Sequence, residues 1–207
     1  MPLLLKQLNP LRGVWKIEES PDSLLALLEK KENYLPFLES VRTERRKQEW
    51  LAVRVLLKEL LGIETTIAYR ENGSPYLPDS SLSVSISHTN GFAAVLLQEG
   101  DYAGIDIEYY SDRVLKLYNR FLNIEEISSI DKDNELNYLL VCWTAKECLF
   151  KMLGEENVDF RTQLHVLPFS YKEEGILTVK ETRTAEQRTF SLHYQVTPDF
   201  IWVFNND

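Results

Sequence analysis

Three short stretches of the chain place chemically capable residues at close spacing. The first is Gly104-Ile105-Asp106-Ile107-Glu108. Side chains alternate along a strand, so Asp106 and Glu108 share one face, about 7 Å apart, while Ile105 and Ile107 turn the other way into a core. Two carboxylates on one face repel unless they are solvated, protonated or bound to a cation. Hard oxygen ligands on a rigid strand suit Mg²⁺, which takes one or two protein carboxylates and completes its shell with water and phosphate oxygens. The second stretch is Trp143-Thr144-Ala145-Lys146-Glu147, with Lys151 following. On a helix, Val141, Ala145, Cys148 and Met152 make a core-facing stripe, and Trp143, Glu147 and Lys151 make a second one at i, i+4 and i+8. Glu147 can then ligate a metal while Lys146 and Lys151 meet phosphates. The third stretch is Ser85-Ile86-Ser87-His88-Thr89, where a histidine at a strand end can donate to a phosphate or move a proton. Each stretch alone also has a plain explanation: a wet strand edge, a Glu–Lys surface pair worth ~0.3–0.5 kcal/mol, and a histidine satisfied by its loop.

The elements that must position these residues can be read from the pattern. Residues 11–18 alternate weakly and suit a strand, and 20–40 suit a helical region begun by Ser20-Pro21. Residues 43–61 predict the strongest helix of the first half, with Trp50, Val53, Leu57, Leu60 and Leu61 at helical spacing and Gly62 ending it. A short strand at 65–69 and a turn at Asn72-Gly73 lead to strands at 83–87, 92–98 and 103–108, separated by Asn90-Gly91 and Gly100-Asp101. A helical region near 112–130 precedes a long helix at 134–153, ended by Gly154. Strands follow at 164–169, 175–180, 189–196 and 200–204. Each half reads as helices followed by a short meander. The expected organisation is α+β, with halves 1–102 and 103–207, the second carrying the carboxylates.

Composition narrows the function classes. The chain has 207 residues, 44% hydrophobic and 27% charged, which suits a soluble globular protein. No apolar run approaches the ~20 residues of a membrane span, and the start MPLLLKQLNP lacks the basic n-region of a signal peptide. Cys142 and Cys148 lie six apart in one helical segment, so a reducing cytoplasm is expected rather than a disulfide framework. The net charge of −9 disfavours nucleic-acid binding. Six basic residues (Arg42, Arg45, Arg46, Lys47, Arg54, Lys58) nonetheless gather between positions 42 and 59, beside Glu44, Glu49 and Glu59. Such a run can hold a small phosphorylated ligand or simply form a solvated helix face. No nucleophile elbow, Walker A or Rossmann glycine pattern is present, and His165 and His193 lack metal-ligand spacing.

The order of the three stretches is more specific than any one of them. Ser87-His88, then Gly-Ile-Asp-Ile-Glu, then Trp-Thr-Ala-Lys-Glu with Lys151, resembles the Sfp-type 4′-phosphopantetheinyl transferases from Ser85 to Lys151. Arg45, the Asn72-Gly73-Ser74-Pro75 turn and Arg120-Phe121 extend the resemblance more weakly. It implies two similar α+β halves related by a pseudo-twofold axis, with coenzyme A between them. It implies Mg²⁺ on Asp106, Glu108 and Glu147, with Glu126 at a further acidic position. Lys146 and Lys151 are expected to meet phosphate charge, and Arg45, Ser87 and His88 the 3′-phosphate end. Glu147, Lys151 and His88 are the expected catalytic set. A serine of an apo acyl or peptidyl carrier protein would attack the β-phosphorus and 3′,5′-ADP would leave, with Glu147 or a water on the metal as base.

The chain departs from that family where Ser74 replaces a common lysine, which leaves Arg70 as a substitute phosphate contact, and where Thr89 replaces a common serine. Lys30 and Lys31 are the first-half candidates for further basic contacts. Residues 111–123, with Arg113, Lys116 and Arg120, are the expected carrier-docking segment, and a monomer is expected. Two other functions compete: a non-catalytic coenzyme A-binding paralogue and a carboxylate-metal nucleotide phosphohydrolase.

Overall fold

A leucine-rich segment opens the chain as a strand. In the computed structural model, which describes residues 2–206, β1 (Leu3–Leu8) pairs antiparallel with β2 (Leu11–Lys16). No strand is expected at β1 from sequence, because LLLKQL does not alternate apolar and polar residues although its burial does. Helices α1 (Pro21–Ala26), α2 (Leu35–Ser40) and α3 (Glu44–Leu61) follow, with a 3₁₀ turn at Lys31–Asn33. The region expected as one helical stretch over 20–40 is therefore broken, and Pro36 opens its second helix. Ser20 caps α1, accepting from Ser23 N, and Gly62 ends α3 at φ 74°, a left-handed conformation that glycine adopts without strain. The short pair β3 (Ala68–Tyr69) and β4 (Pro75–Tyr76) then leads to β5 (Ser83–Thr89) and β6 (Phe92–Gln98).

The second half opens with β7 (Ile105–Tyr109), then α4 (Val114–Phe121), α5 (Ile124–Ser128) and α6 (Glu135–Leu153). Four antiparallel strands complete it: β8 (Leu164–Val166), β9 (Glu174–Glu181), β10 (Thr189–Val196) and β11 (Phe200–Asn205). The helical region near 112–130 splits at Asn123, whose side chain accepts from Glu125 N and Glu126 N while Glu126 returns the contact to Asn123 N, a capping box.

The chain divides into two compact units, one ending at Gly100 and the other beginning at Asp101. The first unit holds the sheet β1-β2-β6-β5 and the second holds β7-β11-β10-β9-β8. In each, the last strand returns beside the strand that precedes the helices: β6 beside β2, and β11 beside β7. The architecture is mixed α and β, with antiparallel sheets and helices grouped in sequence rather than alternating with strands.

In both units a long helix lies close on its sheet, and a glycine permits the approach. A Cβ on Gly13 would come within 2.9 Å of Leu5 O and 3.0 Å of Leu56 Cδ1 on α3. A Cβ on Gly104 would come within 2.3 Å of Met152 Cγ and 3.0 Å of Cys148 Sγ, both on α6. Met152 can bend away, but the short Cys148 side chain cannot. Gly104→Ala should therefore push α6 off β7 and destabilise the protein by about 1–3 kcal/mol, the usual cost of overpacking. A denaturant midpoint equal to that of the wild type would show that the contact is slack.

Candidate functional site

Asp106 and Glu108 owe their setting to register. On β7 they lie opposite Val203 and Ile201 of β11, and directly opposed residues share a face. Val203 and Ile201 belong to the core that also contains Leu149, Cys148 and Ala145 of α6. The two carboxylates are thus on the face that α6 covers. Ile105 and Ile107 lie opposite Phe204 and Trp202 on the other face, and both are buried.

From α6, Glu147 and Lys151 address this strand. Lys151 Nζ donates to Asp106 Oδ1 at 2.6 Å and to Ile105 O at 3.2 Å. Asp106 is 4% exposed, so this is a largely desolvated ion pair. The Glu147 carboxyl is pushed up to about 7, first by burial and then by the charge of Asp106; Glu108 adds to the rise and Lys151 opposes it. Burial is the main cause of the rise and the neighbouring carboxylates add to it, so a cation placed beside Glu147 would favour its ionised form. Among the described residues no three His, Cys, Asp or Glu side chains come close enough to hold a metal ion together. The carboxylates therefore feel one another without converging on a point, and the cation that Asp106 touches is the Lys151 ammonium.

Glu108 is oriented by a residue to which the sequence reading gave no role. Trp143 Nε1 donates to Glu108 Oε1 at 2.8 Å, while its ring packs edge-on against Phe121 and tilted against Phe160. Trp143→Phe keeps an aromatic ring among those neighbours but removes the donor. It should lower the turnover of whatever reaction this site performs about 10-fold, in the range typical of losing a residue that orients a ligand. Unchanged kcat and unchanged metal dependence in the variant would make the contact incidental.

Lys146 is not where the spacing argument put it. Expected to meet phosphates, it is 0% exposed, and its Nζ contacts Phe121 O at 2.7 Å, Phe160 O at 2.9 Å and both oxygens of Glu126 at 2.8 Å. Burial pushes the ammonium pKa down while Glu126 holds it up. The reason is packing: α6 is covered by the sheet and also by α4 and the 160 loop, so the direction 100° from Glu147 leads into protein, not solvent. Glu126 is displaced from its expected role by the same contact. It accepts from Asn123 N, Val166 N and Lys146, which occupies both of its oxygens inside the second unit.

A separate polar cluster lies in the first unit. Glu49, buried in the middle of α3, accepts from Arg45 Nε at 2.8 Å and contacts Arg46 at 3.5 Å and His88 Nδ1 at 3.4 Å. Arg46 and His88 Nε2 meet at 2.6 Å. His88 and Arg45, both expected, are thus joined by two residues, Glu49 and Arg46, that entered the reading only as part of a charge run. The i, i+3 and i, i+4 spacing of Arg46 and Arg45 to Glu49 could have flagged them. His88 is thus tied into this cluster through both ring nitrogens. Ser87 is placed differently. It is 6% exposed, and as the strand neighbour of His88 it faces the other side of β5. Arg70, the expected substitute for the missing lysine at 74, is folded over Tyr76 at 5.0 Å and donates to Pro75 O.

The remaining candidates fall outside both clusters. His165 meets Asn123, and His193 stacks on Phe204. Cys142 and Cys148 are buried free thiols whose pKa values burial pushes up. No helix among the described residues is long and apolar enough to cross a membrane.

Comparison with known proteins gives these clusters a context. Residues 102–202 match the family model of the 4′-phosphopantetheinyl transferase superfamily, and residues 39–98 match that of the 4′-phosphopantetheinyl transferase N-terminal domain. The chain is 32% identical over 115 residues to the 4′-phosphopantetheinyl transferase AcpT of Escherichia coli (strain K12), a stretch covering 53% of this chain and 59% of that protein. It is 30% identical over 115 residues to the 4′-phosphopantetheinyl transferase AcpT of Salmonella typhimurium, covering 53% of this chain and 60% of that protein. The chain thus spans about three fifths of the length of these curated relatives.

Proposed function

We propose that this chain, which belongs to the 4′-phosphopantetheinyl transferase superfamily, transfers the 4′-phosphopantetheine arm of coenzyme A to a serine of an apo acyl or peptidyl carrier protein. The observation that carries the reading is the 2.6 Å contact of Lys151 with Asp106 where α6 packs on β7, with Glu147 near enough to feel the charge of both. In the reaction the serine Oγ bonds to the β-phosphorus of coenzyme A, the bond from that phosphorus to the oxygen of the leaving 3′,5′-ADP breaks, and the serine proton passes to a base. Glu147, whose carboxyl burial pushes up to about 7 in the metal-free site, or a water on the metal would take that proton. Lys151 gives up Asp106 for a phosphate oxygen and offsets the charge that grows there. The donor set fits Mg²⁺: three carboxylates, one held by Trp143 and one raised in pKa by its neighbours. Asp106, Glu108 and Glu147 would hold the ion, which when bound would offset the charge of the pyrophosphate.

Each unit has a long helix on an antiparallel sheet, which supports reading the two as similar halves. Carrier docking is assigned to α4, where Arg113, Lys116 and Arg120 are exposed beside Leu115 and Leu117. These cations suit the acidic helix around a carrier serine, although the chain as a whole is acidic. The test is incubation with coenzyme A, Mg²⁺ and several apo carriers, followed by mass spectrometry. One phosphopantetheine should be gained at the carrier serine, and reversing the charges of Lys116 and Arg120 should raise KM for the carrier with little change in kcat. Binding of coenzyme A without transfer would instead mark a non-catalytic paralogue. Release of phosphopantetheine in the absence of carrier would mark a phosphohydrolase.

A further inference from the structure

Two guanidiniums and an imidazole gather round one buried carboxylate in the first unit. Glu49 is 7% exposed and contacts Arg45, Arg46 and His88. A guanidinium only donates, so His88 Nε2 accepts from Arg46 at 2.6 Å and the ring proton sits on Nδ1, toward Glu49. Besides the imidazole, these side chains bring two positive charges and one negative one. Were Coulomb attraction the cluster's whole task, Glu49 would oppose it. Arginine side chains are long and mobile, however, and a binding event that must order them loses affinity for each one it immobilises. A buried carboxylate at i+3 and i+4 orders both in advance and links them to His88 on β5.

We infer that Glu49 is a positioning residue that holds Arg46, together with Arg45 and His88, ready for the 3′-phosphate of the nucleotide. The inference rests on the reading that coenzyme A is the substrate and deepens it. It makes Arg46 a second guanidinium contact for that phosphate. It also makes the preference for a 3′-phosphorylated nucleotide depend on a residue that never touches it.

The two forces predict opposite results for Glu49→Gln. Removing a negative charge should tighten binding of a phosphate if Coulomb attraction dominates, and should weaken it if prior ordering dominates. Calorimetry on the full chain should compare coenzyme A, 3′-dephospho-coenzyme A and 3′,5′-ADP, with melting temperatures measured alongside. The wild type should favour coenzyme A over its dephospho form. In E49Q the affinity for coenzyme A and for 3′,5′-ADP should fall about tenfold, the sum expected for two side chains no longer ordered in advance. The preference over the dephospho form should shrink by the same factor. Arg46→Gln should shrink it likewise; its side chain is 45% exposed, so it carries the test alone if E49Q melts too low to measure. Equal or tighter coenzyme A binding in E49Q would overturn the inference. So would an equal loss for both forms, which marks a purely structural pin, or a wild type that does not distinguish them. If the ratio collapses in E49Q while the wild type modifies no carrier, the transfer reading fails and the role of Glu49 stands.

Discussion

Replacing Glu147 by glutamine should reduce carrier modification about 10³-fold and, in the absence of metal, should raise the melting temperature. Both effects come from one fact. The Glu147 carboxyl is buried beside Asp106, so its pKa in the fold, about 7, lies above its unfolded value of 4.5. A raised pKa favours folding while the group is protonated. That contribution is complete below about pH 4.5 and is lost as pH rises through 7. At pH 8 the wild type folds with an ionised, crowded carboxylate, at a cost of about 2 kcal/mol once its partial exposure is allowed for. Glutamine has the same shape without that charge. E147Q should therefore melt about 4–8 °C higher than the wild type at pH 8 and at nearly the same temperature at pH 5. Mg²⁺ should stabilise the wild type more at pH 8 than at pH 6, where it must displace a proton, and E147Q should lose most of that response. A melting temperature indifferent to Mg²⁺ at both pH values would remove the metal from this site. An E147Q enzyme with full activity would remove the base.

How much of this was legible in the chain depends on how local each feature is. The ends of α3 and α6 were readable because Gly62 and Gly154 stop a helix through their own backbone freedom, whatever packs around them. The break at Asn123 is local too, carried by the Asn-x-x-Glu spacing of its capping box. The pairing of Asp106 with Lys151 crosses 45 positions, and that of Glu108 with Trp143 crosses 35. Neither can be read from a strand pattern or a helical stripe alone, because both depend on how α6 lies over β7. Only the order of the motifs, matched to a family, anticipated that they belong together. The contact of Glu49 with Arg45 is one helical turn and was available, whereas its contact with His88, 39 positions on, was not.

Lys146 is buried where a phosphate contact was expected, and it yields the second large effect. A helical wheel gives the direction of a side chain but not how many sides of the helix are covered. α6 is buried on most of its circumference, so a lysine one position before Glu147 points into protein. Its ammonium is satisfied there by the last carbonyl of α4, by Phe160 O and by Glu126, which in turn caps α5 and holds β8 through Val166 N. Lys146→Met would leave the Glu126 charge buried without its counterion and strip the donor from two carbonyls. Breaking such a pair costs about 3–5 kcal/mol, so the variant should melt roughly 10 °C lower. Lys146→Met combined with Glu126→Gln removes the orphaned charge, and the double variant should recover part of the loss. The coupling between the two sites should therefore be well above zero in a double-mutant cycle. A phosphate-binding lysine behaves differently: its loss would leave the melting temperature alone and raise KM for coenzyme A. That outcome would restore the assignment that spacing suggested. The expected outcome makes Lys146 the tie that fixes α4, α5 and α6 to one another, and with them the turn of helix that presents Glu147 to Asp106.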